Sequence, residues 1–111
     1  MDPVSQLEGD KMYKPTEQII NEIREHMKQC GGAVWDWNVG ITAEPRNRLF
    51  GDHRVNEQGD AWIFREAANT EVAREIEAYF INVLGADGGT GGGDADARFV
   101  YAYKRSEHTD P

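Results

Sequence analysis

Thr70-Glu71-Val72-Ala73-Arg74-Glu75-Ile76-Glu77-Ala78-Tyr79-Phe80-Ile81-Asn82-Val83-Leu84 runs into Gly85, then into Asp87-Gly88-Gly89-Thr90-Gly91-Gly92-Gly93-Asp94, then into Phe99-Val100-Tyr101-Ala102-Tyr103. The first stretch reads as an amphipathic helix. Asn69 or Thr70 can cap it, Glu71 suits the positive end of its dipole, and Val72, Ile76, Tyr79, Phe80 and Val83 fall on one face. The last stretch reads as a strand, with Tyr101 and Tyr103 on one side by the period of two. Between them lie five glycines in eight residues, more than a turn needs. They allow positive φ angles or close approach of the backbone to something else; a flexible linker has the same composition. The flanking aspartates suit a turn, a metal or a polar partner.

Upstream, the pattern repeats helix and strand. Residues 16–29 form a helix, with Ile19, Ile20, Ile23 and Met27 at helical spacing and Gly31-Gly32 ending it. Residues 33–42 alternate as a strand (Val34, Trp35, Trp37, Val39, Ile41), and Pro45 suits the first turn of a short helix reaching about Asp52. Residues 61–66 form another strand, with Trp62 and Phe64 opposite Ile63. The order α-β-α-β-α-β predicts an α/β domain with a small three-stranded sheet flanked by helices.

A chain of 111 residues is one domain. We read 1–14 as a flexible N-terminal segment, 15–105 as the domain and 106–111 as a flexible tail. Acids outnumber bases 20 to 12, a net charge of −8, which argues against broad, non-specific nucleic-acid binding but leaves room for a local basic site. Cys30 is the only cysteine, so an internal disulfide or a cysteine-based zinc site is excluded. A lone thiol suits a reducing compartment, and with neither a membrane span nor a signal peptide legible, the cytoplasm is expected.

The candidate chemistry lies in three places. Arg46 and Arg48 project from the short helix after Gly40, where a glycine and a helix start both favour a phosphate; a solvated helix face would look the same. Residues 46–54 carry Arg46, Arg48 and Arg54 against Asp52 alone. Glu77 lies on the flank of its helix's apolar stripe, suited either to hold a divalent metal or simply to border the core. Tyr101 and Tyr103 either serve a site or pack the sheet surface. His26, His53 and His108 show no metal-ligand spacing.

Val39-Gly40-Ile41-Thr42, with Arg48 eight residues after Gly40, then Glu77-Ala78-Tyr79-Phe80-Ile81, then the Gly-Gly pairs, together resemble the second half of a GIY-YIG nuclease domain over roughly residues 35–93. The resemblance implies metal-dependent phosphodiester hydrolysis. Glu77 would hold Mg²⁺ and Arg48 would neutralise charge on the phosphate. His53 or a tyrosine would orient or deprotonate water, and Gly40, Arg46, Gly88 and Gly89 would lie at the substrate.

The chain also departs from that pattern. Asn38 replaces one motif tyrosine, the opening strand with the other is missing, and Asp52 stands where the family has His or Tyr, with His53 one residue on. The last strand, residues 99–104, is therefore expected to fill the vacant sheet position beside residues 33–42 and to bring Tyr101 or Tyr103 to the site. Two other readings stay open: a non-catalytic binding or regulatory module with a protein or anionic partner, and an Arg48–Glu77 structural ion pair.

Overall fold

The computed structural model describes residues 14–89 and 96–111. The segment 1–13 and most of the Gly-rich run, residues 90–95, lie outside the described residues, so the expectations placed there are not addressed. Helix α1 spans Thr16–Cys30 and strand β1 spans Trp37–Thr42. A wide helical turn, α2, covers Asn47–Asp52, and β2 covers Trp62–Glu66. Helix α3 runs Thr70–Ala78, continues as a wide turn over Tyr79–Val83, and is followed by β3, Phe99–Lys104. The fold is the expected mixed α/β one.

Among the described residues the three strands form one antiparallel sheet in the order β1-β3-β2. The last strand is thus the central one. It lies beside β1, with Gly40 opposite Tyr101 and Asn38 opposite Tyr103, and its other edge takes β2, with Phe64 opposite Tyr101. Period-two alternation splits the sheet into two faces. One carries Trp37, Val39, Ile41, Ile63, Val100 and Ala102 against Ile19, Ile23 and Met27 of α1 and Ile76 and Phe80 of α3. The other carries Tyr101 and Tyr103 against Leu49 and Val55, with Phe50, Trp62 and Phe64 at the margin.

Three details differ from the sequence reading. Val34–Asp36 is a tight helical turn rather than strand. The Asp36 carboxylate accepts a bond from the Ala33 N–H at 3.0 Å, and Trp35 is left 66% exposed. Val83, expected on the core face, is 67% exposed. The Leu84 N–H bonds back five residues to Tyr79 at 3.1 Å, and that wider turn rotates Val83 off the stripe. Glu77, expected at the flank, is only 2% exposed. Ala73, one turn earlier on the same row, is buried too, so this row of α3 faces inward.

The tail also departs from expectation. The Asp110 N–H bonds the His53 carbonyl at 2.7 Å, and the imidazole of His108 meets the Asp60 carboxylate at 2.6 Å, so the tail is strapped to the segment that follows α2. Among the described residues no helix is long and apolar enough to cross a membrane.

Candidate functional site

Gly40 creates the site by lacking a side chain. A Cβ there would lie 2.5 Å from the Tyr101 hydroxyl and 2.6 Å from its Cζ. The Tyr101 ring lies across β1 in the lane that Gly40 leaves open. The close approach that the sequence suggested for Gly40 is therefore to a protein ring.

Three groups act on the Tyr101 hydroxyl. His53, just after α2, places Nε2 at 2.8 Å. The Arg48 guanidinium approaches from α2, and the Glu77 carboxylate acts on the same hydroxyl from α3. Burial pushes the Tyr101 phenol above its ordinary value; Arg48 opposes the rise and Glu77 adds to it. Arg48 also binds Asp52 one turn on, Nε to Oδ2 at 3.0 Å, with about a third of its side chain exposed (35%). It therefore faces both the buried phenol and the solvent.

Glu77 is the most perturbed acid. Burial raises its pKa from 4.5 to about 7, and Arg74 opposes this. The charge of Arg74 is the influence that favours the ionised form. The described residues include no cluster of three or more His, Cys, Asp or Glu side chains around a common point. A single carboxylate still fits Mg²⁺, which keeps several waters and takes one or two carboxylates plus substrate phosphate.

Behind the phenol lies a second layer of hydrogen bonds that runs from the buried Asn38 out to the exposed Asp110. Asn38 Nδ2 donates to the Tyr103 hydroxyl at 2.7 Å, and that hydroxyl donates to the Asp110 carbonyl at 3.0 Å. His53 Nδ1 lies 2.7 Å from the same carbonyl and 3.2 Å from the Tyr103 oxygen. Burial raises the Tyr103 phenol too, opposed by the Asn38 bond. Tyr103, expected as a site residue, contacts His53 Nδ1, while Tyr101 contacts Nε2.

Other expected residues are placed elsewhere. Arg46 bonds Glu57 at 2.7 Å and lies over the rings of Phe50, Trp62 and Phe64 at 5.7–5.9 Å, a cation–π cap away from Tyr101. Arg54 is 3.6 Å from the Asp110 carboxylate. The three arginines that made residues 46–54 locally basic are thus each paired with an acid. Gly88 has φ +142°, and a Cβ on it would collide with the Val39 carbonyl. It seats the start of the Gly-rich run on β1, where Asp87 bridges Asn38 in parallel through Val39 N–H to Asp87 O and Asp87 N–H to Trp37 O, both 2.9 Å. Arg105 holds the Asp87 carboxylate from the far side. Gly89 is exposed and has open space around it.

The sequence reading missed the Asp110 carbonyl, because a backbone acceptor in a polar tail leaves no residue signature. It also missed the Asn38 bond, although Asn38 was marked as standing where the motif has a tyrosine. Comparison with protein-family models, with curated proteins and with solved structures finds no match to this chain.

Proposed function

We propose that this chain hydrolyses phosphodiester bonds in nucleic acid with a divalent metal ion, the activity that the GIY-YIG resemblance implies. The observation that carries the reading is the position of His53 Nε2 at 2.8 Å from the buried Tyr101 hydroxyl, a hydroxyl that Arg48 also bonds and on which the charge of Glu77 acts. Arg48 is a cation for charge that develops on a bound phosphate. Tyr101 is a poor base alone, because burial holds its proton tightly. With His53 Nε2 at 2.8 Å, it can take a proton from the attacking water as it passes its own to the imidazole. Glu77 is the residue that would hold Mg²⁺, which when bound supplies Lewis-acid charge to the phosphoryl oxygens. A cytoplasmic setting suits the exposed, unpaired thiol of Cys30.

The test uses labelled single- and double-stranded DNA and RNA, with Mg²⁺ or Mn²⁺ and with chelator. The expected result is metal-dependent cleavage that is lost in Arg48→Ala and in Glu77→Ala while the fold survives. Both residues act on one phosphate, so the double variant should be no worse than the more damaged single. Absence of cleavage under every condition sinks the reading.

A non-catalytic binding module is the second reading, favoured by the acids already seated on Arg46, Arg48 and Arg54 and by the net charge of −8. It expects no cleavage, and either weak, salt-sensitive anion binding that depends on Arg48 or a basic protein partner.

A further inference from the structure

We propose that the backbone carbonyl of Asp110 is a positioning group for His53: it fixes the imidazole proton on Nδ1 and so aims a bare Nε2 at the Tyr101 hydroxyl. A carbonyl oxygen only accepts hydrogen bonds. With Nδ1 at 2.7 Å from that oxygen, the neutral ring must carry its proton on Nδ1, which leaves the Nε2 lone pair free. Nε2 lies 2.8 Å from Tyr101 Oη, so the phenol is the donor and the imidazole the acceptor.

The surroundings leave the tautomer little freedom. The second lone pair of the Asp110 carbonyl takes the Tyr103 hydroxyl at 3.0 Å, and the Tyr103 oxygen is itself occupied by Asn38 Nδ2 at 2.7 Å. The Asp110 N–H returns to the His53 carbonyl at 2.7 Å, so residues 53 and 110 hold each other at two points. The Asp110 carboxylate pairs with Arg54 at 3.6 Å.

The catalytic use of this clamp rests on the nuclease reading. When the Tyr101 O–H breaks, its proton forms the Nε2–H bond and the electron pair stays on the phenolate, which regains a proton from the attacking water. The imidazolium so formed keeps its Nδ1–H on the Asp110 carbonyl, and Arg48 faces the phenolate. The tail strap and the site are then one device: a segment outside the sheet decides which way a proton can move inside it.

The test is long-range ¹H–¹⁵N NMR of the imidazoles in the full chain, at a pH where His53 is neutral. The expected spectrum shows His53 protonated at Nδ1 and bare at Nε2. Asp110→Ala keeps the carbonyl and should keep that pattern. Deleting residues 106–111 should lose it, giving Nε2–H or a mixture, with His26 unchanged as internal control. An Nε2–H tautomer in the full chain overturns the proposal, as does an Nδ1–H pattern that survives the deletion in a folded protein. If the deletion unfolds the chain, the full-chain spectrum alone decides. The outcome is separable from the function: Nδ1–H without cleavage leaves the clamp standing and removes the nuclease, and cleavage with Nε2–H does the reverse.

Discussion

Tyr101 occupies the volume that any side chain at position 40 would need: its hydroxyl lies 2.5 Å from where a Gly40 Cβ would stand. Both residues are buried and face each other across the β1–β3 ladder, so neither strand can yield without breaking pairing. Gly40→Ala should therefore expel the Tyr101 ring from its lane. The expected loss is about 1–3 kcal/mol of stability, measured by urea denaturation, together with loss of the His53–Tyr101 hydrogen bond. A variant of unchanged stability would mean that the ring has another place to lie.

Glu77 ties stability to pH. Its folded-state pKa of about 7 lies above the ordinary 4.5, so between those values the native state binds the proton that the unfolded chain releases. Stability should then fall as pH rises through roughly 4.5 to 7, by on the order of 3 kcal/mol in all. Glu77→Gln should flatten that slope and make the protein more stable than wild type at pH 8. Thermal melts across the pH range decide it: a wild-type curve that rises over this window contradicts the buried carboxylate.

Metal should act on the same group from the opposite side. A divalent ion binds the ionised carboxylate, so millimolar Mg²⁺ or Mn²⁺ should raise the wild-type melting temperature at pH 8 and do so less at pH 6. E77Q should show no shift. Equal shifts in both proteins would place any bound ion elsewhere.

Arg48→Ala separates site from scaffold. The Arg48–Asp52 pair lies on a partly exposed helical turn, so its loss should change stability by less than about 1 kcal/mol. Under the nuclease reading, cleavage should fall by about 10²-fold or more. A variant that unfolds instead would make Arg48 a structural ion.

The helical stretch after Asn69 gives an internal contrast. Ile76 and Phe80 are fully buried, and truncation of either to Ala should cost about 2–5 kcal/mol. Val83→Ala, three residues past Phe80 but exposed, should stay within about 0.5 kcal/mol. Denaturation midpoints for the three variants test the wide turn that separates them.

How far the sequence reached follows from what each residue can announce. Helices and strands were legible because Ile19, Ile23, Ile76 and Phe80, or Trp62 against Ile63, carry apolar periodicity in their own side chains. The cap offered two candidates, and the structure uses Asn69, whose side chain accepts the Val72 N–H at 2.8 Å. Arg48, His53, Glu77 and Tyr101 were nameable because each bears a titratable group near a glycine, a helix end or a strand. The contact of His53 with Tyr101 was not legible, because it depends on the empty lane at Gly40, a residue that signals by what it lacks. Arg46 shows the converse: the same residue type two positions from Arg48 finds aromatic rings instead of the phenol, a choice made by which side of α2 it leaves.

The central position of β3 also dictates when the molecule can form. Among the described residues β1 and β2 do not pair with each other and β3 is the strand they share, with contacts that join positions as far apart as Trp37 and Lys104. During synthesis the helices can form early, but both outer strands lack their shared partner until residues 99–104 leave the ribosome. Until then two apolar strand edges are exposed to every other nascent chain nearby, and sheet assembly closes long loops in a late, slow step.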